Sequence, residues 1–230
     1  MSEVLADYDD GEGQYMNGRE WSRLTSIGGI IVLTGGFLIA LINIGLTPLF
    51  TPDASFAELA ASRVFAWRQG LAIVATLLLC LGSLPLYLGQ AERTGVFGAI
   101  AFLLAFLGSA FMVAHEWNQF FIVRDLALHI PASLEALENV SGMTLFDISA
   151  LVAVSTFTLG WIGFAASMLA CRLYSRAGPI VLIAGFFLLP ILGATLPALW
   201  GQIIGNLLLG TGWVLLGRQL LLFAKADNAA

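Results

Sequence analysis

Six long apolar stretches, separated by short polar gaps, decide which solvent this chain can fold in. They cover residues 24–50, 70–89, 96–123, 145–171, 179–196 and 199–223. Most reach the roughly 20 residues that a helix needs to cross a bilayer core of about 30 Å. Composition closes off the soluble alternative, because 59% of the residues are hydrophobic and 11% charged, against about 25% charged in a soluble domain. The pattern predicts an all-α, polytopic membrane protein with six transmembrane helices.

The net charge of −5 is unevenly placed. Residues 1–20 hold six acids against Arg19 alone, whereas residues 21–230 hold nine acids and nine bases. The first twenty residues also lack a periodic apolar face, so they read as a disordered acidic tail. The bundle then occupies 21–223, with a short tail at 224–230. No basic segment precedes a short apolar one, so the first long stretch is the expected membrane-entry signal. Cys80 and Cys171 both fall inside apolar stretches and read as free thiols packing like small hydrophobes.

Short loops rich in Lys and Arg face the cytoplasm. With the N-terminus inside, the inner side holds Arg19, Arg23, Arg93, Arg172, Arg176, Arg218 and Lys225, and the outer side holds Arg63, Arg68 and Arg124. This bias places both termini in the cytoplasm. Two outer loops are long. Residues 51–69 predict a helix capped by Asp53 or Ser55, and 131–137 predict another. Glycines in the first span (Gly28, Gly29, Gly35, Gly36) and the sixth (Gly201, Gly205, Gly212) suit close helix packing, within the bundle or across a homodimer seam. Pro85 should kink the second span.

On this topology the intramembrane polar residues gather toward the outer side: Asn43, Arg68, His115, Glu116, Asn118, Gln119, Asp147, Gln202 and Asn206. These nine are the candidate ligand-binding residues. The run Ala114-His115-Glu116-Trp117-Asn118-Gln119-Phe120-Phe121 is the sharpest of them. On a helix His115 and Gln119 share a face, as do Glu116 and Gln119, while His115 and Glu116 diverge by about 100°. Three readings stand: a wet turn in the aromatic belt, a polar pocket open to the outside, or a cofactor ligand. In the pocket reading Arg68 is the counter-charge of Glu116 or Asp147, since an unpaired charge in low dielectric is costly.

Several chemistries are set aside by count. Lys225 is the sole lysine and lies outside the spans, and two histidines cannot make a three-His zinc site. A phosphate-cradling Gly loop and a Gly-x-Ser-x-Gly elbow are both missing. No catalytic or metal-binding residue is assigned and no cofactor is expected, although His115 alone could ligate one haem or chlorin.

The exit from the fourth span, Ala170-Cys171-Arg172-Leu173-Tyr174-Ser175-Arg176-Ala177-Gly178-Pro179, is followed by Ile183-Ala184-Gly185. Together with the long first outer loop and the second span ending Leu86-Tyr87-Leu88, it resembles a large bacterial family of six-helix membrane proteins, the domain-of-unknown-function 4386 group. The resemblance implies a multi-pass protein of a bacterial inner membrane with no assigned activity. The leading functional expectation is non-enzymatic: binding, sensing or passing a small molecule or lipid at the outer polar pocket. The alternative is an accessory subunit in a larger membrane complex. A third class is a redox or lipid-modifying enzyme using His115 and Glu116. Membrane lipids are the expected surroundings, and nucleic acid is not an expected partner.

Overall fold

The computed structural model describes residues 18–51, 54–196 and 198–227. Among them nine α-helices succeed one another without a strand: α1 (Gly18–Gly45), α2 (Phe56–Ala61), α3 (Arg63–Leu88), α4 (Ala91–Asn118), α5 (Arg124–His129), α6 (Pro131–Glu138), α7 (Leu145–Cys171), α8 (Ala177–Thr195) and α9 (Ala198–Asp227). A 3-10 turn, Thr47–Leu49, comes after α1, and a π-helical segment, Gln119–Val123, joins α4 to α5. Residues 1–17 of the acidic tail, the cap candidate Asp53 and the turn residue Pro197 lie outside the described residues.

Five helical stretches are long and apolar enough to cross a membrane: Glu20–Leu49, Arg63–His129, Leu145–Cys171, Ala177–Thr195 and Leu199–Ala226. The chain is a multi-pass helical membrane protein. Large apolar side chains such as Phe37, Leu103, Leu159 and Phe187 are exposed on the bundle's outside, a surface that suits lipid rather than water. The stretch Arg63–His129 contains a turn at Gly89 and Gln90, and α3 and α4 pack against each other on either side of it.

The long helices form a closed ring in chain order: α1 on α3, α3 on α4, α4 on α7, α7 on α8, α8 on α9, and α9 back on α1. Side chains fill its centre. Trp161 and Trp213 meet edge to face at 5.4 Å, and Phe157, Phe164 and Phe186 pack around them. Both tryptophans are almost wholly buried, so the middle of the ring is a packed core.

Glycine lets the ring close. A Cβ on Gly36 would lie 2.7 Å from the Gly210 carbonyl, and a Cβ on Gly210 would lie 2.6 Å from that of Gly36. The α1 and α9 backbones touch there, which is how lipid-embedded helices gain dispersion contact. Gly108 and Gly160 hold α4 against α7 in the same way. Gly28 receives Pro85 from α3, so this proline packs inside the bundle and α3 runs through it as one helix. The winding of α4 breaks at Gly95, whose φ of 55° and ψ of −149° suit glycine alone. The regular helix therefore begins at Val96, where the apolar pattern starts.

Most polar groups around the Gln90 turn are matched, Gln219 Oε1 on α9 being the exception. Gln90 is fully buried at the α3–α4 turn. Its Nε2 donates to Ser167 Oγ at 3.1 Å, and its Oε1 accepts from Cys171 Sγ at 3.4 Å. Tyr174, in the connection between α7 and α8, donates its hydroxyl to the Leu86 carbonyl at 2.8 Å. Burial, helped by Cys171 nearby, pushes the Tyr174 hydroxyl pKa well above the usual tyrosine range. Ser22 Oγ donates to the Ala224 carbonyl, tying α1 to α9. Gln90 falls in a polar gap between the predicted spans, and the turn tucks it beneath α7.

Candidate functional site

The opposite end of the bundle is built differently. Its centre is the close of α4, where Ala114–Asn118 run into the π segment. There Arg124 N–H donates to the Gln119 carbonyl, five residues back. Phe120 lies against Gly70 of α3, where a Cβ would meet the ring at 3.4 Å, an ordinary contact. Trp117 and Phe121 meet at a tilt, 4.3 Å between ring centres, and Phe120 meets Phe121 edge-on at 4.7 Å. A segment expected to enter a loop at Arg124 instead continues as helix to His129. The residue types of Gln119–Val123 suit α and π winding alike, so the contact with α3 is what distinguishes them.

The 100° divergence between neighbours now has consequences. His115 and Asn118 turn toward α7 and line a groove of about 360 Å³ with Phe111, Ser149, Val152 and Ala153. The floor is apolar, and His115, Asn118 and Ser149 supply the polar lip. The His115 ring lies 6.1 Å from that of Phe146. Ser149 donates to the Phe146 carbonyl of its own helix at 2.8 Å. The side chains of His115 and Asn118 have no hydrogen-bond partner among the described residues.

Glu116 turns toward Arg68 of α3, and Gln119 lies one turn on. Glu116 Oε2 and Gln119 Oε1 are buried and have no hydrogen-bond partner, and the same holds for Arg68 Nε and Arg124 Nε. Arg68 is the cation acting on Glu116, yet the two close no ion pair among the described residues. Arg68 instead gives Nη1 to Gln69 Oε1 at 2.6 Å and lies 5.9 Å from the centre of the Phe50 ring. Helices α2, α5 and α6 roof this end with a small core of Ala57, Ala60, Phe65, Val123, Ala127 and Leu134. Ser55 caps α2 in a capping box with Glu58, and Ser62 starts α3 afresh by accepting from Phe65 N–H. Val64 and Phe65 therefore belong to α3 rather than to the predicted loop helix.

The remaining candidates stand apart from both faces. Asn43 donates to the Ile39 carbonyl at 2.9 Å and accepts from Thr47 Oγ1 at 3.3 Å, so its polar atoms are occupied locally. Asp147 is exposed and caps its own helix, accepting from Thr144 N–H at 2.9 Å and from Thr144 Oγ1 at 2.8 Å. Gln202 is exposed, and Asn206 donates to its carbonyl at 2.9 Å. Arg68 thus faces Glu116, and Asp147 answers to Thr144. His115 lines the groove beside α7 and Glu116 faces Arg68 of α3, so the structure does not bring them to one reacting atom.

Sequence reasoning passed over Gln69, Arg124 and Ser149. Gln69 adjoins Arg68, and Ser149 sits half a turn beyond Asp147, so both were within reach of a wider polar inventory. Among the described residues no group of three His, Cys, Asp or Glu side chains could hold a metal. The chain matches no protein-family model, no curated protein and no solved structure.

Proposed function

We propose that this protein binds an amphiphilic small molecule or lipid, taken from the outer leaflet, in the groove between α4 and α7. The observation that carries the reading is the groove itself. Its volume of about 360 Å³ falls within the roughly 300–1,000 Å³ of small-molecule sites, and its few polar groups over an apolar floor match their usual lining. Phe111 and Val152 on its walls are exposed on the membrane-spanning part of the bundle, so a guest can enter sideways from lipid. The packed Trp161–Trp213 centre favours binding or sensing over passage through the ring.

Six spans support this placement. A straight helix of the 67 residues Arg63–His129 would measure roughly 100 Å, several times the bilayer core. The Gly89–Gln90 turn divides it into two antiparallel crossings. With both termini in the cytoplasm, seven of the ten Lys and Arg residues lie inside and the His115 end points outward. The 170–185 junction supports kinship with the six-helix bacterial family and hence an inner-membrane home.

A photoactivatable alkyl amphiphile incubated with the purified protein tests this. Labelling should concentrate on peptides containing Phe111–Asn118 and Phe146–Ala153, and Val152→Trp should remove most of it. Even labelling over the whole lipid-facing surface would overturn the reading.

A further inference from the structure

We propose that the side of α4 turned toward α3 holds a second site, formed by Arg68, Glu116 and Gln119, for a zwitterion carrying a primary ammonium and a phosphate or carboxylate. Four buried atoms at this end lack partners: two donors, Arg68 Nε and Arg124 Nε, and two acceptors, Glu116 Oε2 and Gln119 Oε1; of the two cations it is Arg68 that acts on Glu116. Native proteins leave few such atoms, so a cluster of them points to a guest. Gln119 is 8% exposed, which leaves its carbonyl oxygen no route to bulk water in this state.

Charge selects the class of guest. Arg68 and Glu116 balance each other, so an ion of either sign would bring an uncompensated charge into low dielectric. A zwitterion would not. Glu116 and Gln119 lie one turn apart on a single face and together ask for a donor-rich group, which an ammonium with three N–H bonds supplies. Arg68 Nε asks for an anionic oxygen. The Gln69 and Phe50 contacts hold the guanidinium in place for it.

Position favours a phospholipid headgroup as the source. The helix from Val96 through His129 is longer than the bilayer core, which sets its far end at headgroup depth. The roof of short helices covers this end through a small core shared with Phe65 of α3 and Val123 of the π segment. This inference is independent of the groove reading, because none of Arg68, Glu116 and Gln119 lines the groove.

The test titrates the purified full-length chain with phospholipids of identical acyl chains and three headgroups, monitored by tryptophan fluorescence. Free phosphoethanolamine forms a fourth arm. Ethanolamine lipid should bind about tenfold more tightly than choline lipid, which lacks N–H donors, or glycerol lipid, which carries a net charge. Glu116→Gln should erase that preference, and Val152→Trp should leave it intact. Free phosphoethanolamine binding as tightly as the lipid assigns the site to a soluble zwitterion, and lipid alone binding assigns it to a headgroup; either supports the proposed chemistry. Equal affinity for the three headgroups, or a preference that survives Glu116→Gln, overturns it and leaves water as the partner of these atoms. The headgroup series on the unaltered chain carries the test if Glu116→Gln fails to fold.

Discussion

Gln90 and Gln119 are both glutamines, both buried and both at helix junctions, yet only one is matched. Gln90 has a partner at each end of its amide, whereas the carbonyl of Gln119 has none. The same contrast extends to their surroundings. At the Gln90 end, Ser167, Cys171, Tyr174 and Ser22 all have partners on neighbouring elements or on their own helix. At the other end Arg68, Glu116, Gln119 and Arg124 each leave an atom unmatched. Gln219 Oε1 at the Gln90 end and Trp213 Nε1 in the ring's centre are unmatched as well, one atom at each place against four at the other end. One end is built to stay as it is, and the other is built to meet something.

The largest effect should come from breaking the frame that holds both ends. Gly108→Leu places a side chain into the backbone of α7 at Phe157 and should cost more than about 3 kcal/mol. It would show as loss of folded protein by size-exclusion in detergent. Next, the two glutamines can be set against each other. Gln90→Leu removes the bonds to Ser167 and Cys171, which keep the Phe164 and Met168 carbonyls as partners, and should cost about 1 kcal/mol, whereas Gln119→Leu removes an unmatched acceptor and should be neutral or gain up to about 1 kcal/mol. Thermal unfolding of the two variants side by side reads this directly, and equal losses would dissolve the contrast.

A smaller effect is expected at Tyr174. Removing its hydroxyl in Tyr174→Phe should cost about 1 kcal/mol. The folded chain holds this group neutral above its ordinary range, so its contribution is complete at neutral pH and declines once pH passes about 10, where an unfolded tyrosine ionises. The phenylalanine variant should lack that part of the alkaline decline. The smallest effect is at Asp147→Asn, where an exposed helix cap is weakened. The unfolding midpoint should fall slightly, and amphiphile labelling should stay unchanged.

Much of the fold is legible from the residues because lipid allows few solutions. Long apolar runs must become helices, and Gly95 marks where α4 turns regular. Pro131 opens α6 at the first helical position. The pattern Thr144-x-x-Asp147 is equally readable as a capping box, and weighing Asp147 only as an intramembrane charge missed it. The polar run 114–121 shows that the α4 end matters, and the divergence of His115 from Glu116 comes from helical spacing alone. The partner across from each face is not legible in that way. It depends on Phe120 meeting Gly70 of α3, on the π segment leading into α5, and on α7 offering Ser149 and Val152 beside His115. These are tertiary contacts between residues far apart in the chain. Gln90 was hidden for a related reason, since a turn that looks polar and wet is covered by α7.

A density map of the protein in a lipid nanodisc tests the central claim most directly. The account predicts ordered non-protein density between α4 and α7 beside His115 and Asn118, with none at the Gln90 end. A groove closed by direct packing of α4 on α7 from Phe111 to Asn118, with no guest at the His115 end, would contradict it.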